Sequence, residues 1–376
     1  MSTGPTGRAG GRAGVGGMDT DTIEVSGTAP FVLSVLDNAH AAVGSTVDEV
    51  YREVIALARL ADRLGYHRFW MSEHHAMPAA ATPSPQLMLA RLTGETERIR
   101  LGAGGVMLPN HAPLVIAEQF AMLDALAPGR IDLGLGRAPG TDAATAAALR
   151  RHAAGNDEFP QSAVQLIAFL ADRFPPGHPY HDVHAVPGPW QAAQNRVPAP
   201  TTAPQVWILG TSPSSAQLAG RLGRPYAFAL QFGGADPAEA FEVYRREFRP
   251  SPVLAAPYCL ASVPVAVDDD PAAARRQVDS AALAMLRMVQ RAPYTLLPPD
   301  EAAAYDATPE ERRVLDGYAE RFWGGTPADI AGRLERLHAR TGVDEIMLVT
   351  MGPSRAGHRR TVELVARHYA LQPSPA

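Results

Sequence analysis

Residues 69 to 78 read FWMSEHHAMP, which sets an acid and two imidazoles, Glu73, His74 and His75, at the abrupt end of an apolar run. Packing alone gives a buried strand little reason to finish this way. An imidazole titrates near neutral pH, so one of these histidines can hold or pass a proton in a reaction. A histidine satisfied by a backbone carbonyl fits the same residues equally well. Neighbours in extended chain point to opposite sides, so His74 and His75 do not easily share one metal ion, whereas Glu73 and His75 could. No HExxH or comparable spacing supports zinc. A second group, His178, His181 and His184, lies in a Pro- and Gln-rich stretch and reads as surface histidines. No metal is expected.

A second chemistry is written further on. GLGRAPG (134–140) places Arg137 after an apolar run, and TSPSS (211–215) opens a helical pattern after another. A guanidinium, the hydroxyls of Thr211, Ser212 and Ser214, and free helix N–H groups together suit a phosphate. An N-cap and a surface ion pair would explain either feature alone. The glycine spacing is GxGxxxG rather than GxGxxG, and Pro139 interrupts the expected helix start, so no dinucleotide-binding module is evident.

These groups need elements to hold them. Strand-like runs fall at 31–36, 67–71, 99–104, 130–135, 205–209, 226–230, 258–263 and 345–349, with helical patterns between them. The clearest helix starts at Thr46, has Glu49 at its third position and stops at Gly65. Eight strand-then-helix units predict an α/β fold, a (β/α)8 TIM barrel with irregular insertions, rather than a doubly wound open sheet. In such a barrel the reacting groups sit where strands end. Those ends deliver Asp37 and Asn38, then Glu73 to His75, then Gly104, Gly105 and Val106, then Arg137, then Gly210 to Ser215. Two stretches break the alternation, 174–203 and 291–325, and a long connection of this kind is either a lid or a solvated insertion. Residues 1 to about 27 read as a Gly-rich disordered tail, and 28–372 as a single barrel domain.

Composition removes several classes. The net charge of -5 argues against a nucleic-acid or anionic membrane surface. No run reaches the ~20 apolar residues of a spanning helix, and the N-terminal stretch has no apolar signal core, so a cytoplasmic location is expected. Cys259 is the single cysteine, which leaves no CxxC pair. All 34 basic residues are arginine, so Schiff-base and P-loop chemistry, which need a lysine, drop out.

The motifs SVLD (34–37), FWMSEHHAMP, GAGGVMLPNHAPLVIAEQF (102–120), GRIDLGLGRAPGTD (129–142), WILGTSPSSAQLAGRLG (207–223), GGTPADI (324–330) and GVDEIMLV (342–349) occur in one order along nearly the whole chain. In that order the chain resembles the bacterial luciferase-like flavin monooxygenases, most closely the single-chain actinobacterial branch. The resemblance implies FMN, reduced elsewhere by a separate flavin reductase, and O2 as co-substrate. A C4a-peroxyflavin would then oxygenate a small organic molecule, a secondary metabolite among the candidates. It assigns the catalytic histidine to His74, with Glu73 and His75 orienting it, and the phosphate arginine to Arg137. Cofactor contacts are expected from Asp37, Gly104, Gly105, Val106, Arg137, Gly210, Thr211, Ser212 and Ser214. At Gly210 luciferase carries a carboxylate, so the phosphate cradle differs there. The resemblance further implies a non-proline cis peptide at Gly104–Gly105, a mobile lid over 291–325, and a homodimer. Phe69, Trp70, Met107 and Leu108 would keep water from the flavin. A deazaflavin-dependent dehydrogenase on the same barrel, and a non-catalytic flavin-binding paralogue, are the alternatives.

Overall fold

Parallel strands buried between a barrel interior and the crossover helices read as continuous apolar runs, and the eight such runs of this sequence all form strands. The computed structural model describes residues 18, 23, 26–138, 141–149, 157–233 and 235–373. Its strands are β1 (Val32–Asp37), β2 (Arg68–Met71), β3 (Arg100–Met107), β4 (Ile131–Gly136), β5 (Gln205–Gly210), β6 (Tyr226–Ala229), β7 (Cys259–Val267), β8 (Trp323–Gly325) and β9 (Glu345–Thr350). All pairings are parallel. β1 to β6 follow one another, β6 pairs β7 (Tyr226 with Cys259), β7 pairs β9 (Leu260 with Glu345), and β9 returns to β1. These eight strands close a barrel. β8 is an extra strand, paired only with the far end of β7 through Val265 to Val267.

The helix between β1 and β2 spans Val47–Leu64. Thr46 and Glu49 form its capping box, and Gly65 ends it in the left-handed region at φ 87°. A side chain at Gly65 would also overlap the Gln372 carbonyl, so glycine is required there twice over.

The stretch 291–325 is not irregular throughout. It contains the helices Pro299–Ala303 and Pro309–Arg321 as well as β8. The second helix has a capping box of Thr308 and Glu311 with proline at its first position. The stretch 174–203 holds one short helix, Pro189–Gln194. The tail expected over residues 1 to about 27 falls almost wholly outside the described residues. Met18 is described and buried, and its N–H donates to the Val253 carbonyl at 2.6 Å.

The floor of the barrel is ionic. Arg68, 1% exposed, donates from Nη1 to Asp132 at 2.8 Å and from Nε to Glu345 at 3.0 Å. Arg100 also pairs with Asp132, and Tyr258 donates to Glu345 at 3.0 Å. Two cations thus face two carboxylates, which lets charge sit where apolar packing would otherwise be needed. Above them Trp70 and Trp207 meet edge to face at 5.2 Å, and Trp70 Nε1 donates to Asp132.

Burial pushes the Asp132 carboxyl up, but Arg100 and Arg68 outweigh it and hold it near 2; burial likewise opposes Arg355 at Asp37, which also ends near 2. Both folded values lie below the ordinary 3.8. Each carboxylate therefore stabilises the fold above about pH 4, and that contribution, on the order of 2 kcal/mol apiece, is lost as pH falls toward 2. Urea denaturation should show stability dropping steeply below pH 4. An unchanged midpoint between pH 5 and pH 3 would contradict this.

Candidate active site

A cavity of about 570 Å³ opens where the strands end. Side chains alternate along extended chain, and the end of β2 shows the result: Trp70, Ser72 and His74 line the cavity, while Met71, Glu73 and His75 do not. β3 contributes Gly104, Gly105 and Met107, β4 contributes Gly136 and then Arg137, and β5 leads into Gly210, Thr211, Ser212, Ser214 and Ser215. Leu36, Leu209, Leu260 and Met347 supply apolar wall.

The missing side chains matter at β3. A Cβ on Gly104 would come within 2.6 Å of the Trp70 ring, and one on Gly105 within 2.7 Å of the Gly134 carbonyl. Glycine there keeps the wall thin. The Gly104–Gly105 peptide is cis.

Glu73 is the hub behind His74. It is fully buried and accepts from His75 Nε2 at 2.9 Å, His111 Nε2 at 2.9 Å, Asn110 Nδ2 at 3.2 Å and the Met107 N–H at 3.1 Å. Burial raises its carboxyl, but the bonds from His111, His75 and Met107 outweigh that and hold it below the ordinary value. The carboxylate thus ties the end of β2 to the end of β3. His74 is held at its backbone, its N–H donating to the Thr82 carbonyl at 3.0 Å.

At the other side of the cavity the helix Pro213–Arg221 begins. Ser212 is its N-cap and accepts from the Ser215 N–H. The Ser212 and Ser214 hydroxyls lie 2.9 Å apart, and Ser215 Oγ donates to the Ser212 carbonyl at 2.7 Å. A Cβ at Gly210 would overlap the Ser215 side chain, so any side chain at that position would require Ser215 to move. A guanidinium, three hydroxyls and a helix N-terminus line one wall system, which is an anion-binding chemistry.

Residues 30–345 match the sequence profile of the luciferase-like monooxygenases. The chain belongs to that family. It is 38% identical over 316 residues to the luciferase-like monooxygenase of Escherichia coli strain K12, covering 84% of this chain and 90% of that one. The solved structure of apo-MsnO8 is 36% identical and superposes with a TM-score of 0.79 over 91% of this chain and 98% of that one. The oxygenating constituent of 3,6-diketocamphane monooxygenase from Pseudomonas putida, solved in complex with FMN, shares the fold (TM-score 0.66, 18% identity, 92% and 99% coverage).

In this luciferase-like monooxygenase the cavity gathers His74, Gly104, Gly105, Arg137, Gly210, Thr211, Ser212 and Ser214. Two expected cofactor contacts are not at the cavity. Both Asp37 oxygens are taken by Arg355, at 3.0 and 2.6 Å, and its neighbour Asn38 lines the cavity instead. Val106 packs into the hydrophobic core. Of the four residues expected to keep water out, Trp70 and Met107 line the cavity, while Phe69 and Leu108 are buried in the outer core. Sequence reasoning missed Ser72, Phe159, Gln231, Phe232 and Ser262. Ser262 donates to Gln231 at 2.9 Å, a pair joined across 31 residues. Ser72 Oγ is buried and has no hydrogen-bond partner among the described residues. Serine at i−2 from His74 was the available signal for it.

Among the described residues no group of three or more His, Cys, Asp or Glu is placed to hold a metal ion. His178 stacks on Phe174 at 4.6 Å, and His184 pairs with Asp172 at 2.7 Å and stacks on Trp190. No helix among the described residues is long and apolar enough to cross a membrane.

Proposed function

We propose that the enzyme binds reduced FMN in this cavity and uses O2 to oxygenate a small organic substrate. The observation that carries the reading is the pairing, in one cavity, of an anion-binding end with a histidine-bearing apolar end. The residues fit the cofactor. The volume lies within the range of small-molecule sites. Arg137 and the hydroxyls of Thr211, Ser212 and Ser214 suit a phosphate. The glycine wall of β3 leaves room for a flat ring, and the buried Ser72 hydroxyl has an open partner position on that side. The FMN complex of the Pseudomonas putida protein on the same fold supports the choice.

Bound reduced flavin would supply the activation of O2. The protein's own part is threefold. Arg137 and the helix N-terminus bind and orient. Trp70, Met107, Leu209 and Met347 exclude water, which would otherwise divert the reaction to hydrogen peroxide. His74 holds or moves a proton at its imidazole, while Glu73 and His75 fix the strand end that carries it. A separate flavin reductase agrees with the absence of a dinucleotide motif in the sequence. The exposed Leu87, Val115, Met122 and Leu126, on the helices Pro85–Thr93 and Pro113–Leu126, suit the face of a homodimer. Anaerobic titration with reduced FMN and with reduced deazaflavin, followed by admission of O2, tests the assignment. Tighter deazaflavin binding with O2-independent hydride transfer would replace it with a dehydrogenase.

The stretch 291–325 is the lid in this reading. It is anchored at Tyr294 and Leu296, whose carbonyls accept from Ala79 and Val43 in the loops after β2 and β1. Its two helices bury no residue. Few buried contacts give a low local opening energy. Backbone amides of 299–321 should exchange faster than those of the barrel strands, and exchange as slow as the strands would remove the lid. Deleting the helices should raise peroxide release per flavin oxidised.

A further inference from the structure

A second cavity, of about 440 Å³, lies at the opposite end of the barrel and shares no residue with the first. It is bounded by the start of β5, the C-terminal ends of the helices Pro113–Leu126 and Phe159–Ala171, and the segment 187–204. Ile167, Leu170, Pro187 and Val206 give it apolar walls. Arg224, in the turn before β6, also lines it.

Arg224 is out of balance with its surroundings. The side chain is half-buried: its Nε is sealed from solvent and has no hydrogen-bond partner, and among the described residues its guanidinium makes no ion pair. Burial lowers it to about 10, so it stays charged at neutral pH. Its backbone is fixed, the N–H donating to the Ala219 carbonyl and the carbonyl accepting from Tyr244. The two nearby acids do not serve it. Asp124 accepts from Thr202 at 2.7 Å and from the Gly129 N–H at 3.1 Å, and Asp172 is paired with His184 at 2.7 Å. Arg173, exposed at the rim, adds a second cation. A charge partly withdrawn from water and left without a partner is poorly compensated, and an anion entering the cavity would pair with it.

We propose that this cavity is a binding site for a small organic carboxylate with an apolar body, the carboxylate bonded to Arg224 and the body packed on Ile167, Leu170 and Val206. Inorganic anions would satisfy Arg224 but leave the apolar walls wet. Neutral apolar molecules would fill the walls but leave the charge.

Isothermal titration of the full chain with octanoate tests this. One equivalent should bind, with FMN affinity unchanged. Octanol and acetate should each bind about tenfold more weakly or worse, because each keeps half of the recognition. Arg224→Gln should weaken octanoate by about tenfold or more, while its melting temperature stays level or rises because the unpaired charge is gone. Leu170→Trp, which fills the cavity and leaves Arg224 in place, should also abolish binding. The proposal is overturned by absence of octanoate binding up to about 10 mM, which is weaker than any useful small-molecule affinity, by equal binding to Arg224→Gln, by displacement with FMN, or by inorganic phosphate binding as tightly as octanoate.

Discussion

Arg137→Ala should weaken FMN binding by about tenfold to a hundredfold, the range for losing hydrogen bonds to a charged group. The residue follows β4 directly, so a rigid strand sets its position, and it lines the cavity with the hydroxyls of Thr211, Ser212 and Ser214. Thr211→Ala and Ser214→Ala should each cost less, since each removes one neutral donor and leaves the cation. Arg137→Lys separates charge from shape. A point charge keeps the Coulomb attraction but loses the planar fork, so affinity should fall between wild type and alanine. Riboflavin, which lacks the phosphate, supplies the internal control. Its affinity should barely respond to Arg137→Ala. The measurement is flavin fluorescence titration. Equal FMN affinity in Arg137→Ala and wild type, or an equal loss for FMN and riboflavin, would take Arg137 away from the phosphate.

The barrel was legible because each parallel strand is sandwiched between the interior and a crossover helix, and so reads as an unbroken apolar run. β8 was not legible. Its three residues, Trp323 to Gly325, are too few to show a period. The helix Pro309–Arg321 could have been found, since Thr308, Pro309 and Glu311 spell a capping box, but no buried face gives it an apolar stripe. The site was legible wherever local alternation decides orientation, which is why His74 faces the cavity and His75 turns back to Glu73. Alternation failed at β3. The register shifts between Gly104 and Val106, so Gly104 and Gly105 both line the cavity and Val106 turns to the core. Long-range pairs were out of reach. Asp37 sits at a strand end as a cofactor contact would, but its partner, Arg355, is 318 residues away. The ionic floor has the same character, with Arg68 and Glu345 separated by 277 residues. Arg224 carries no pattern at all, since its significance is the lack of a partner.

His74→Ala should keep the barrel and most of the FMN affinity while losing oxygenation by about a hundredfold or more, the scale of a removed acid–base group. Flavin affinity rests on the anion-binding wall and the ring surface, neither of which the imidazole supplies. In the proposed reading, proton control at the reacting end falls to the histidine that faces the cavity, and His74 lines it. Reduced flavin bound to the variant should still consume O2, with the oxygen recovered as hydrogen peroxide instead of product. His75→Ala should show a smaller defect. Its ring lies 2.9 Å from Glu73 and outside the cavity, and Glu73 keeps its bonds to His111 and the Met107 N–H when His75 is lost. Glu73→Ala removes the common anchor of both strand ends, so it should resemble His74→Ala in product yield and also lower the melting temperature. Product and peroxide per reduced flavin, measured in all three variants under single turnover, read out the assignment. Product lost in His75→Ala but kept in His74→Ala would reverse the roles of the pair. Normal oxygenation in both would leave the two imidazoles as structural groups, and the proton would then have to be handled elsewhere on the cavity wall, where Asn38, Ser72 and the Gln231–Ser262 pair are further polar groups.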